Sequence, residues 1–109
     1  MILSGYRAVW IVAMFDLPTD TKQARKDYAL FRKSLLQNGF TMLQYSVYIR
    51  HCASEENADV HYRRVQGFLP PDGEVRLLTV TDKQFERMQT FWGKLRKPAP
   101  ARPKQLELF

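Results

Sequence analysis

Residues 8–15, Ala-Val-Trp-Ile-Val-Ala-Met-Phe, are eight consecutive apolar side chains, and this run limits the fold more than any other feature of the chain. It is rich in β-branched and aromatic residues, which favours a strand. A strand apolar at every position rather than at alternate ones must be covered on both faces. The run therefore predicts a central strand. It is far too short to span a membrane. It also lacks the basic n-region and small-residue cleavage site of a secretory signal. Asp16-Leu17-Pro18 ends it, because proline cannot donate to a strand ladder.

A buried central strand needs neighbours and covering helices, and the next segments supply them. Thr19 or Asp20 reads as the N-cap of a helix running to about Asn38, with Gly39 as the residue that ends it. Ala24, Tyr28, Phe31 and Leu35 recur at helical spacing and predict its sheet-facing side. At about 100° per residue, Lys22, Lys26 and Lys33 fall opposite, with Arg25 and Arg32 on one flank. The stretch from Phe40 to Arg50 favours β structure but is long for one strand. Two short strands, 40–43 and 46–51, hinged at Gln44-Tyr45-Ser46, are expected, with one bent strand as the alternative. Ser54 caps a second helix, with Glu55 and Glu56 at its positive end, Ala58, Tyr62, Val65 and Leu69 as its apolar face, and Arg63 and Arg64 toward its C-terminus. Pro70-Pro71-Asp72-Gly73 is a stop and turn, and residues 74–80 form a further strand. A capping box at Thr81-Asp82-Lys83-Gln84 opens a third amphipathic helix with Phe85, Met88, Trp92 and Leu95 on its apolar face.

The order β-α-β-β-α-β predicts an α+β, ferredoxin-like fold: an antiparallel sheet with two helices on one face, followed by a C-terminal helix. This domain occupies residues 1–95. Residues 96–109 change character, with prolines at 98, 100 and 103 and basic residues at 96, 97, 102 and 104, which describe an extended arm. The arm ends in Leu106-Glu107-Leu108-Phe109. Apolar Leu106, Leu108 and Phe109 at a terminus suggest a partner-binding tag that adds a strand to an exposed sheet edge; a disordered tail is the alternative.

The chain of 109 residues fits one domain, marginal enough alone that dimerisation would help it. Cys52 is the single cysteine, so no intrachain disulfide forms, and with His51 and His61 it makes no zinc-binding spacing. Together with the missing membrane and signal segments, this places the chain in the cytosol. Seventeen Lys and Arg against 11 Asp and Glu leave a net charge of +6. Such a surface suits a polyanion, since each basic group meeting a phosphate releases a counterion, although charge alone equally serves solubility. Lys22, Arg25, Lys26, Arg32 and Lys33 form a stripe suited to backbone phosphates, and Arg7, Arg63 and Arg64 are further candidate contacts. Any one of them also fits a plain solvated face.

Asp16 stands where the buried strand opens to solvent. A carboxylate there is a hard oxygen ligand for Mg²⁺, or equally a turn residue, the commoner use of an aspartate at such a position. One carboxylate is little equipment for phosphodiester cleavage, and Asp20 is claimed as a helix cap. A symmetric dimer would supply the second carboxylate by bringing two copies of Asp16 together.

Three segments in order carry a family resemblance: Phe15-Asp16-Leu17 at the end of the apolar strand, the basic helix closed by Gly39-Phe40, and Gln44-Tyr45-Ser46-Val47-Tyr48. Together they resemble the small CRISPR-associated nuclease family, the second Cas protein, which partners the integrase during spacer acquisition. The likeness covers residues 7–81, and Gln105-Leu106-Glu107-Leu108-Phe109 resembles the tails of members from type II systems. The resemblance implies a prokaryotic, cytoplasmic homodimer. In it Asp16 is the Mg²⁺ ligand and catalytic acid of an endonuclease acting on RNA or DNA. It also implies an adaptor role, bridging integrase dimers and holding double-stranded DNA. One departure from the family pattern is that Leu17-Pro18-Thr19 intervene before Lys22 and Arg25, where arginines often follow the Asp; which basic residue would assist cleavage is thus left open. The same residues also fit a toxin-like RNA interferase, or a non-catalytic ferredoxin-like assembly module.

Overall fold

In the computed structural model, which describes residues 7–95, the apolar run becomes β1 (Val9–Asp16), with hydrogen-bonded neighbours on both sides. After it come α1 (Lys22–Gln37), β2 (Thr41–Gln44), β3 (Val47–Cys52), α2 (Glu55–Gly67), β4 (Glu74–Thr81) and α3 (Asp82–Glu86). The sheet order is β2-β3-β1-β4, and every pairing is antiparallel. This is the ferredoxin-like plan. Among the described residues no helix is long and apolar enough to cross a membrane.

Alternation along β1 divides its side chains between two faces. Val9, Ile11, Ala13 and Phe15 enter the core with Phe31 and Leu35 of α1, Ala58 and Val65 of α2, and Tyr48 of β3. The Phe15 ring meets Phe31 edge-on, with centroids 5.1 Å apart. Full burial of side chains of this size stabilises by about 1.5–3 kcal/mol each. Trp10, Val12, Met14 and Asp16 point to the other face. Residues paired across the strands share a face, so Val47, Ile49 and His51 of β3 and Glu74, Arg76, Leu78 and Val80 of β4 join them there.

Helix ends follow their local chemistry. Thr21, not Thr19 or Asp20, caps α1: its backbone is extended and its hydroxyl accepts from Ala24 N–H at 3.0 Å. The Leu17-Pro18 exit therefore runs one or two residues further than expected before the helix begins. At the other end Gly39 has φ +86°, and a Cβ there would lie 3.1 Å from Arg50 Nε. Arg50 Nε donates to Asn38 O at 2.8 Å, setting a cation on the negative end of α1. Between β2 and β3 the chain turns at Tyr45 and Ser46, where Ser46 has φ +64°. Two strands form there rather than one bent strand.

The third helix is much shorter than its pattern suggests. The capping box at Thr81 and Gln84 forms, but α3 stops at Glu86. Its one firm anchorage is to the second face of the sheet. Phe85 stacks on Trp10 at 4.2 Å, Trp10 Nε1 donates to Asp82 Oδ1 at 2.7 Å, and His51 Nε2 lies 3.4 Å from the same oxygen. Beyond it Met88, Phe91 and Leu95 are exposed. A helix this short does not persist without packing for its apolar side, and among the described residues Phe91 and Leu95 are left almost wholly exposed. Leu69 likewise lies past the end of α2 and is exposed, while His61 takes an inward position on that helix.

His61 is 4% exposed and its Nδ1 has no hydrogen-bond partner. Burial, reinforced by the nearby Arg50 and Arg64 charges, holds its pKa below the ordinary value. The unfolded chain, with histidine near 6.5, then binds the proton that the folded chain refuses. Stability is accordingly full above about pH 6.5 and falls as the pH drops below it, by up to about 1.4 kcal/mol per pH unit. Thermal unfolding followed between pH 8 and 5.5 checks this. The midpoint should fall on acidification, and His61→Leu should flatten the fall.

Candidate nucleic-acid and metal site

Asp16 is the last residue of β1 and is exposed, as the apolar run followed by Leu-Pro implies. Its surroundings come from parts of the chain far away in sequence. The turn Pro70–Gly73 folds against it: a Cβ on Gly73, which has φ +97°, would lie 2.7 Å from both Asp16 O and Leu17 Cδ2. Only glycine fits that approach. Directly across the β1–β4 pairing from Asp16 stands Glu74. Side chains so paired have Cβ atoms about 4.5–5.5 Å apart. The strand end thus presents two carboxylates on one face. Arg76, opposite Met14, donates to Glu74 Oε1 at 2.8 Å and brings a cation to the same face. Glu74 and Arg76 had no signal in the local sequence, because their position depends on a pairing register set by the whole fold.

Oxygen donors of this kind suit a hard divalent ion such as Mg²⁺, which keeps several waters and needs only one or two carboxylates. Among the described residues no group of three or more His, Cys, Asp or Glu side chains is placed to hold a metal. Among the described residues, one chain offers Asp16 with Glu74 beside it.

The basic candidates separate by position. Lys22, Arg25 and Lys26 occupy the first turns of α1, directly after the exit loop from Asp16, and all are exposed. Arg25 Nη1 donates to Thr19 O at 3.1 Å, which ties its guanidinium to that loop. Cations at a helix N-terminus oppose the macrodipole and weaken the helix. Here they add to the positive end of α1, whose first turn holds no acid, and so make that helix end attractive to anions. Arg32 and Lys33 continue the exposed stripe toward the far end. Arg63 and Arg64, also exposed, lie on the half of α2 that runs back toward the Asp16 end. Arg7 precedes β1 and sits about 30 Å from Asp16 along the strand, at 3.3 Å per residue. It is not part of this cluster. Leu106, Leu108 and Phe109 lie outside the described residues.

A cleft of about 320 Å³ opens near this end, between Leu17-Pro18, the start of α1 and Pro70. Asp20, released from its expected capping role, rims it together with Asp27 and Asp72. Three carboxylates around an opening repel phosphate, and Asp16 does not line it. The surface suited to a polyanion is therefore the basic side of α1, not the cleft.

The family model described as CRISPR associated protein Cas2 matches residues 9–88. A protein of Parvibaculum lavamentivorans is 60% identical over 93% of this chain and all of its own length. One from Flavobacterium psychrophilum is 49% identical over 98% of this chain and 93% of its own length. A third, from Paracidovorax avenae, is 47% identical over 99% of this chain and its full length. Each of the three carries the name CRISPR-associated endoribonuclease Cas2.

Proposed function

The chain belongs to the CRISPR-associated Cas2 family, and on that premise we propose that it is a homodimeric subunit of CRISPR spacer acquisition, in the prokaryotic cytoplasm. It holds double-stranded DNA for a partner integrase and has a Mg²⁺-dependent endonuclease activity on RNA or DNA. The observation that carries this reading is the placement of Asp16: an exposed carboxylate at the end of the central strand, from which a short exit loop leads to the positive N-terminus of α1 with Lys22, Arg25 and Lys26. Ferredoxin-like topology alone would not argue for nucleic acid. That juxtaposition of ligand and phosphate-binding charge does.

The second face of the sheet supports the dimer. Among the described residues, Val12, Met14, Val47 and Val80 lie on it half-buried and Leu78 is 52% exposed, while Trp10, under α3, and Ile49 are buried. An apolar sheet face with Leu78 exposed among the described residues is suited to a self-complementary contact. Because Asp16 and Glu74 sit at the end of the same face, a two-fold contact across it brings both pairs of carboxylates toward one another. Bound there, Mg²⁺ would neutralise phosphate charge and lower the pKa of a bound water. For this chain's own residues, Asp16 holds the ion, Glu74 offers a second oxygen from across the pairing, and the α1 cations hold the backbone. Leu106, Leu108 and Phe109 serve association with a protein partner.

Double-stranded DNA binding tests the phosphate-holding half of this reading. Titration at increasing salt should give a falling line in log K against log salt, with a slope of about −0.9 for each phosphate neutralised. Lys22→Ala and Arg25→Ala should each make that slope shallower by about 1. Affinity independent of salt would instead favour a non-catalytic assembly module.

A further inference from the structure

Tyr45 is an aromatic side chain held flat and open at the same end of the sheet as Asp16. It is 73% exposed, although one of its ring faces is occupied: it lies nearly parallel to Tyr28 of α1, with centroids 6.2 Å apart and planes 19° from parallel. Tyr28 is itself braced edge-on by Phe15, at 5.9 Å. The backbone beneath Tyr45 is fixed. Phe15 N–H donates to Ser46 O at 3.1 Å, and Ser46 holds a left-handed conformation that directs the turn. The residue after Phe15 is Asp16, so the peptide that pins the Tyr45 turn is continuous with the one that presents the candidate catalytic carboxylate.

We propose that Tyr45 is a stacking platform for an unpaired nucleobase, which places a single-stranded segment of nucleic acid beside Asp16. This rests on the reading of the Asp16 end as a nucleic-acid site. A base needs a π-face that is exposed and rigid, and Tyr45 offers one already ordered by Tyr28, so little side-chain freedom is lost on binding. The charges around it suit the strand backbone. Along α1, Arg25 and Arg32 stand at i−3 and i+4 from Tyr28, both exposed, on the flank turned away from Asp27. A tyrosine phenol is uncharged near neutral pH, and Tyr28 beside it shifts that of Tyr45 further up, so it presents no negative charge to a phosphate. A tyrosine whose task is only to cover Tyr28 would have no need of an open outer face at this end. Duplex bases are stacked within their own helix and cannot use such a face, so the platform distinguishes single strands from double strands.

The full-length protein, with Tyr45→Leu and Tyr45→Trp, provides the test. Fluorescence anisotropy is measured in EDTA on a short labelled RNA strand and on the same sequence as a DNA duplex. Leucine keeps apolar cover over Tyr28 and removes the π-face. It should weaken single-strand binding about tenfold and leave duplex binding unchanged, whereas tryptophan should bind the strand as tightly as wild type or more so. Wild-type strand affinity in Tyr45→Leu overturns the proposal, and so does an equal loss on strand and duplex, the mark of a structural role. The nuclease reading fails separately: cleavage undiminished in Asp16→Ala would defeat it and leave the Tyr45 split between strand and duplex standing.

Discussion

Asp16→Asn is expected to lower Mg²⁺-dependent cleavage by on the order of 10³-fold, while affinity for duplex DNA in EDTA and the unfolding midpoint stay at wild-type level. Asparagine keeps the size of the side chain and one oxygen, so nothing that holds the strand end is disturbed. What it removes is the negative charge that a hard ion requires. An ion in such a site supplies several kilocalories per mole of transition-state stabilisation, and each 1.36 kcal/mol is a factor of ten. Affinity should not follow, because the proposed phosphate contacts are Lys22, Arg25 and Lys26 and not the carboxylate. Integration assays with the partner integrase separate the two halves of the proposed function, since holding DNA needs the cations and the dimer but no chemistry. Full cleavage by Asp16→Asn would remove the residue from the catalytic assignment. A folded Asp16→Asn protein unable to support integration would show that the carboxylate serves assembly instead.

The sequence makes plain whatever depends on neighbours along the chain. The run from Ala8 to Phe15 declares a central strand because its pattern is local, and Ser54 and Gly39 mark helix ends through their own backbone chemistry. Positions that depend on the assembled fold are not legible in this way. Glu74 lies 58 residues beyond Asp16, and only the β1–β4 register makes the two carboxylates neighbours. Tyr45 is visible as a turn residue, but its stacking on Tyr28 depends on how α1 crosses the sheet. The third helix shows the reverse error. Met88, Trp92 and Leu95 have helical spacing, yet spacing reports only which side would be apolar; whether a surface exists to receive it is a tertiary matter, and here α3 ends at Glu86. Similarly, Thr19 and Asp20 are as good caps by type as Thr21, and the path of the Leu17-Pro18 exit decides among them.

That open surface leads to the second large effect. Leu78→Asp should convert the proposed dimer to monomer at concentrations where the wild type is wholly dimeric, and cleavage should fall with it. Leu78 pairs with Val12 on the apolar second face of the sheet and is half exposed in the single chain. In a monomer, aspartate there would be close to neutral, as exposed substitutions away from special features usually are within about 0.5 kcal/mol. In a dimer closed over that face, the same carboxylate would be buried among apolar side chains, and symmetry introduces it twice. An unpaired buried charge costs several kilocalories per mole even after relaxation, enough to weaken association by at least about 10²-fold. Light scattering coupled to size-exclusion chromatography reads the mass directly. Lys26→Asp, which makes a charge change of similar kind on the exposed side of α1, should remain dimeric and so separates burial from charge. A dimeric Leu78→Asp protein would show that the face is not the contact. A monomer that still cleaves would show that Asp16 and Glu74 of one chain hold the ion unaided, and the pairing of two Asp16 residues would then have no part in the chemistry.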